Sequence, residues 1–407
     1  MRTWGGWVPK GSQAHTAPEL ILRMSGAAVL SFAVVMIFMP RIIRFLVRRG
    51  IRDLPQFDQR DLDQITRHKS RTPTMGGILI VGAILLAVLV FGNLYNMYVR
   101  MSLVAMIWMG ALGAADDWLK LRRVAGRGSR DGLKSWEKLL FQIGLAVLLS
   151  LFTFQYGSQS GYVVGEKHAT TASPSYEAPA AGGGPEVGEK RVTPAHNFYF
   201  PFTTASIDLD HFELVYVLIF VMTMVGTSNA VNLTDGMDGL AAGCVMSTTT
   251  VLLVLAELVN VVEYTNIFKL PLVMGAGEMT VLCAAMLGAC LGFLWYNAHP
   301  AQVFMGDTGS LTLGGLMGYV AVVTRQELLL VIAGGVFVME ALSVILQVGY
   351  FKLTRPGPGL QGKRLFRVAP IHHHFHTGGW AETKVVTRFW VMAIVFAALA
   401  LAMLKLR

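Results

Sequence analysis

Charge is what this 407-residue chain has least of. Asp, Glu, Lys and Arg make up 14% of it, against about a quarter in a soluble domain, while 54% is hydrophobic and the mean hydropathy is +0.53. That deficit excludes a soluble globular protein of this length and leaves an integral membrane protein. Cysteine is equally scarce. Cys244, Cys283 and Cys290 lie inside apolar runs with no CxxC or Cys/His spacing, which excludes a disulfide framework or a zinc cluster. No internal repeat is present, and the first apolar run lacks a small-x-small cleavage site and is followed at once by arginines, so it reads as a retained helix.

Apolar runs long enough to cross about 30 Å of hydrocarbon are abundant. Ten can be marked, at about 20–40, 75–95, 98–115, 138–156, 212–229, 240–260, 278–296, 310–324, 328–350 and 389–405. The fold class this predicts is an all-α integral membrane protein of about ten transmembrane helices. Basic residues orient it, because Lys and Arg gather in short cytoplasmic loops. Loops 41–73, 116–138 and 351–388 hold 23 of the 34, and segment 157–210 holds three. Ten crossings put the three rich loops on the cytoplasmic face and both termini on the exoplasmic one. The net charge of +9 is therefore a topology signal before it is a nucleic-acid signal, and no nucleic-acid partner is expected. Residues 1–19 read as a flexible N-terminal segment, and within the single domain 20–407 an insert at about 157–196, rich in Gly, Ala, Ser, Pro and Thr, reads as a flexible exoplasmic segment.

Polar clusters that survive in this background mark function, and five fall at cytoplasmic ends. In "HKSRTPTMGG", Thr72 is placed to cap a helix opening at Pro73, with Lys69 beside an anion-binding N-terminus; simple capping is the plainer reading. In "ADDWLK", the adjacent carboxylates Asp116 and Asp117 suit a divalent cation, with Lys120 one turn on, although a solvated helix end explains an isolated pair as well. In "NAVNLTDGMDGLA", Asn229, Asn232, Asp235 and Asp238 recur every three residues and share a face if the stretch is helical. In "WYNAHPAQVFMGDTGSLTLGG", Asp307 sits in a glycine-rich turn at a helix start, where an Asp also serves as an ordinary cap; the later glycines suit close helix contact. In "PIHHHFHTGGW", consecutive histidines cannot all face one ion from a regular element, so they read as phosphate donors rather than a zinc site. Carboxylates, amides, lysines, a glycine-rich turn and imidazoles on one face form an inventory for phosphoryl transfer to a lipid phosphate.

In order, "TPTMGG", "DD", "NLTDGMDGLA", "NAHPAQVFMGDTGS", "APIHHHF" and "GWAETKVVTRFW" resemble the phospho-N-acetylmuramoyl-pentapeptide transferases of the polyprenyl-phosphate N-acetylhexosamine-1-phosphate transferase superfamily, from about residue 20 to the end. The resemblance implies a multi-pass enzyme of the bacterial inner membrane with a cytoplasmic active site, Mg²⁺ as cofactor, a homodimer, and transfer of phospho-MurNAc-pentapeptide from UDP to undecaprenyl phosphate, giving lipid I and UMP. Carried over by motif, Asp116, Asp117 and Asp307 are the catalytic acids, with Asp307 and Asp117 the metal ligands. Lys69, Thr74, Asn232, Asp235, Gly236, Met237, Asp238, Asn297 and Phe304 form the nucleotide side, Phe304 stacking on uracil. Lys120 meets phosphate, and His372, His373 and His374 meet the pyrophosphate or sugar. Arg71 and His376 stand where the family usually has Gly and Glu, and the insert is long. The competing readings are a sister GlcNAc-1-phosphate transferase, disfavoured by the three-His segment, and a secondary transporter, disfavoured because its polar breaks belong at the midplane.

Overall fold

The apolar runs are longer than strands require, and they fold as helices. The computed structural model describes residues 17–51, 72–124, 132–159, 162–165, 189–192, 196–203, 205–355, 357 and 361–406. Lys69, Arg71, residues 1–16 and most of the 157–196 insert lie outside the described residues.

The long helices are α1 (Ala17–Arg48), α2 (Gly77–Phe91), α3 (Met97–Val124), α4 (Ser135–Gln159), α5 (Glu213–Thr234), α6 (Leu240–Leu258), α8 (Glu278–Asn297), α9 (Gly306–Val323), α11 (Gly335–Leu353) and α13 (Glu382–Met403). Short helices α7 (Val262–Phe268), α10 (Glu327–Ala333) and α12 (Ile371–Thr377) lie between them. Among the described residues, eight helices are long and apolar enough to cross a membrane; α2, with 15 residues, and α9 are the apolar runs not among them. The run at 328–350 is two helices, α10 and α11, broken at Gly334.

Two antiparallel ribbons accompany the helices. β1 (Tyr162–Gly165) pairs with β2 (Glu189–Val192), with Tyr162 opposite Val192, and β3 (Phe198–Tyr199) pairs with β4 (Ser206–Ile207). The insert is therefore not structureless at its margins: the β-branched and aromatic residues of "YVV" suit a pleated ribbon.

Helix α9 lies at the centre. It packs on α3 and α5, and every residue from Thr308 to Val323 is buried, so it faces protein on all sides and tolerates Thr, Ser and Gly that lipid contact would disfavour. Around it, α8 packs against α1 and α6, and α13 against α6. The outward faces of α1, α5, α11 and α13 are apolar and exposed, as at Leu22, Leu214, Ile345 and Ile394.

Glycines allow α9 its close approach. A Cβ on Gly314 would fall 2.7 Å from the Ser228 backbone and one on Gly318 would fall 2.7 Å from that of Met224, so α9 and α5 touch main chain to main chain over a four-residue spacing. Gly318→Val forces these helices apart. Overpacking of this kind costs about 1–3 kcal/mol, and we expect the purified variant to show a lower thermal unfolding midpoint in detergent, whereas the same change at Gly349, which meets nothing within 4 Å, leaves it nearly unchanged.

Candidate active site

The site begins where two extended segments cross. Phe304 donates its N–H to Pro73 O (2.8 Å), and the Gly76 and Gly77 N–H groups return to Phe304 O (2.9 Å) and Met305 O (2.8 Å). The helix expected to open at Pro73 under a Thr72 cap starts instead at Gly77, because Met75 turns left-handed (φ 75°) and the next two N–H groups are taken by the 304–305 segment. Thr72 Oγ1 donates to Ala301 O (3.4 Å). Thr74 is buried beside Gly306.

This crossing brings the start of α9 against α2 and α3. A Cβ on Gly113 would fall 2.4 Å from Asp307 O, and one on Gly77 would fall 2.3 Å from Gly309 N. At that distance the Asp117 carboxylate caps α9: Oδ1 accepts from Asp307 N (3.1 Å), and Oδ2 from Thr308 N (3.0 Å) and Thr308 Oγ1 (2.7 Å). The cap is supplied by Asp117, which leaves the Asp307 side chain to point elsewhere.

Asp307 points into a cluster of charge. Its Oδ1 accepts from Asn232 Nδ2 (3.0 Å), and its Oδ2 from Lys138 Nζ (2.8 Å), with Lys120 Nζ 3.2 Å away. Both ammonium groups also hold Asp116 Oδ2, at 2.7 Å from Lys138 and 2.8 Å from Lys120, while Asp116 Oδ1 accepts from Leu133 N (2.7 Å). Sequence reasoning did not single out Lys138, one of seven basic residues between 116 and 138. Only the packing of the first turn of α4 against the end of α3 distinguishes it from the rest.

Asp116, Asp117 and Asp307 each offer an oxygen within 4.8 Å of the others. Three carboxylates face two ammonium groups, which leaves negative charge uncompensated in a largely buried place. An all-oxygen donor set of this kind fits a hard divalent cation, and Asp117 Oδ1, with one accepted bond, keeps a lone pair for it.

The second polar stretch does not form one helical face. Helix α5 ends at Thr234 and α6 starts at Leu240, with Gly239 left-handed (φ 81°), so the "DGMDG" residues make a turn. Asn229 therefore bonds Gln142 Oε1 (2.7 Å), and Asn232 bonds Asp307 and Ser310 Oγ (2.9 Å). Asp238 points away to accept from His299 Nδ1 (2.9 Å) and Ala301 N (3.1 Å), and its own N–H goes to Glu382 Oε1 (2.9 Å). Asn297 spends both ends of its amide on the frame, accepting from Gly239 N (2.9 Å) and donating to Val303 O (2.8 Å), and Met237 is buried. The grouping of Asp238, His299 and Glu382 is a latch between the turn, the loop at 299–301 and α13.

The histidines divide. His372, wholly buried, lies 3.1 Å by Nδ1 from Glu340 Oε2 and covers Gly236, and His373 faces the same glycine. His374 turns aside, its Nδ1 accepting from Arg367 N (3.1 Å). His376 pairs with Trp380 O (2.8 Å), so the departure at that position closes a turn. Phe304 is half-buried on the loop before Asp307.

These features define a membrane-embedded transferase class. Residues 99–325 match the family model described as glycosyl transferase family 4. Residues 69–81 match that described as phospho-N-acetylmuramoyl-pentapeptide-transferase signature 1. Proteins named phospho-N-acetylmuramoyl-pentapeptide-transferase are similar over nearly their whole length: one from Desulfotalea psychrophila is 40% identical, covering 95% of this chain and 94% of its own, one from Thermodesulfovibrio yellowstonii is 42% identical (94% and 92%), and one from Rickettsia felis is 38% identical (95% and 94%). The chain belongs to the phospho-N-acetylmuramoyl-pentapeptide-transferase family.

A Cβ at position 236 would fall 2.4 Å from His372 Nε2, although the backbone there is ordinary. Gly236→Ala should lower the unfolding midpoint of the purified protein, and in a His372→Ala background most of that loss should disappear, since additivity fails for groups in contact.

Proposed function

We propose that the chain transfers phospho-MurNAc-pentapeptide from its UDP-linked form to undecaprenyl phosphate, forming lipid I and UMP for peptidoglycan synthesis. The observation that carries the reading is the likeness to transferases of that name over 95% of the chain. The convergence of Asp116, Asp117, Asp307, Lys120 and Lys138 at one end of the bundle supports the chemistry.

Three loops hold 23 of the 34 basic residues, and the described residues Thr72, Asp116, Lys120, Lys138 and His373 from their ends lie about this site, which we read as the cytoplasmic face of the bacterial inner membrane, with ten helices crossing and both termini outside. Residues 1–19 and the insert at about 157–196 then stand apart from the reaction. The polar residues gather at one end rather than the midplane, which argues against a transporter. An apolar groove of about 380 Å³ between α5 and α10–α11, lined by Thr223, Thr227, Ala230, Phe337 and Ala341, suits the polyprenyl tail, and Asn232 lies two residues beyond Ala230 on the same helix.

In the reaction an oxygen of the lipid phosphate attacks the phosphorus that bears the sugar, and the bond from that phosphorus to UMP breaks. Lys120 and Lys138 stabilise the non-bridging oxygens as charge shifts. Asp116 has both oxygens engaged and Asp117 holds the helix, so we read the transfer as direct, without a phospho-enzyme. Mg²⁺ held by Asp307 and Asp117 would supply charge neutralisation on the pyrophosphate. Phe304 stacks on uracil, with Lys69, Thr74, Asn232, Asp235 and Gly236 on the nucleotide side and His373 toward the pyrophosphate.

Incubation of purified protein with undecaprenyl phosphate, Mg²⁺ and either UDP-MurNAc-pentapeptide or UDP-GlcNAc tests the assignment; UMP release from the second alone would reassign the enzyme to the sister reaction. Asp307→Asn should fold normally, bind uridine nucleotide with little change and lose most turnover together with its Mg²⁺ dependence. Near-wild-type UMP release would remove Asp307 from the metal site. Phe304→Ala should weaken nucleotide binding by about 1–3 kcal/mol, the cost of losing a base–aromatic stack, as read by calorimetry.

A further inference from the structure

We infer that Glu340 is a positioning residue for the three-histidine helix, its carboxylate set against Nδ1 of His372 and so holding the ring against the Asp235–Gly236 turn. The inference rests on the transferase reading above.

Glu340 is the one acid in α11 and is wholly buried, as is His372. A buried carboxyl group needs a polar partner, and the partner here is the imidazole, with Oε2 3.1 Å from Nδ1. Glu340 thus meets the first histidine of the short helix α12.

On its other edge the His372 ring lies on Gly236, with Nε2 2.4 Å and Cε1 2.9 Å from where a Cβ would stand, and His373 Nε2 is 3.2 Å from the same point. The two rings are 4.1 Å apart. One contiguous stack therefore runs from Glu340 through His372 to the turn that bears Asp235 and to His373. Glu340 and His372 are both buried, and the role inferred for them is to hold what they touch. The Glu340 carboxylate on one edge and Gly236 on the other hold the ring in one orientation.

Removal of a partner that orients a metal-ligating histidine costs about 10–100-fold in metal affinity or activity, which sets the scale expected for an oriented imidazole here. The test uses detergent-purified full-length protein, with UMP release measured beside wild type, whose own turnover checks the transferase reading. Glu340→Leu, which removes the acceptor while keeping bulk, should lower kcat at least about tenfold and leave KM for the UDP-sugar little changed. Glu340→Gln keeps an acceptor oxygen and should retain kcat near wild type. In a His372→Asn background, Glu340→Leu should cause little further loss. Wild-type kcat in Glu340→Leu overturns the inference, as does an undiminished further loss in the His372→Asn background. Should the Leu variant fail to fold, the Gln variant decides alone: a tenfold loss of kcat there overturns it. A wild-type protein that releases no UMP overturns the transferase reading and this inference with it.

Discussion

Helix α9 starts inside the protein, and the N–H groups of its first turn must find acceptors there. The Asp117 carboxylate is that acceptor, and the geometry around it follows from this one cap. Asp116 and Asp117 are neighbours on a helix, so their side chains leave the axis about 100° apart. With Asp117 turned to α9, Asp116 is turned to the ammonium groups of Lys120 and Lys138, and these in turn reach Asp307. A pair of like charges that would repel in isolation is divided between two tasks.

The cap requires main chains to pass unusually close. Gly77, Gly113 and Gly309 stand where any side chain would collide with backbone or with Met305, and their absence of a Cβ brings α2, α3 and α9 together at one end. Gly314 and Gly318 do the same for α5 and thereby carry Asn232 to Asp307. Small residues in the interior of the bundle are therefore part of the construction of the charged cluster. Burying ions this way is costly unless each is compensated, and here every carboxylate oxygen of Asp116 and Asp307 has a donor.

A second frame surrounds the first. Asp238, His299, Asn297 and Glu382 spend their polar atoms on tying the turn at 235–239 to the loop at 299–303 and to α13. Motif residues chosen for their chemistry thus divide into those that face the cluster and those that hold the loops which present it. Residue type does not distinguish the two, since an Asn that binds a ligand and an Asn that bridges two backbones are the same letter.

Hydropathy alone located the helices, because burial in lipid or in other helices requires long apolar runs whatever the partners, and the family was legible in six ordered motifs. Asp116, Asp117, Asp307, Lys120 and Asn232, which the fold brings together, already stand out in the sequence, since acids, a lysine and an amide at helix ends are costly without a task. What the sequence did not reveal were relations between distant segments. The cap on α9 comes from a residue 190 positions earlier, the expected Thr72 cap gives way to pairing with 304–305, the repeat of Asn and Asp every three residues is broken by a turn, and Lys138 and Glu340 acquire meaning only through contacts with Asp307 and His372. Periodicity and composition are properties of neighbours along the chain, so the chain by itself determined its helices and its inventory of polar groups. Which of those groups would meet was decided by the close packing of backbones at glycine and by the need of each buried charge for a partner.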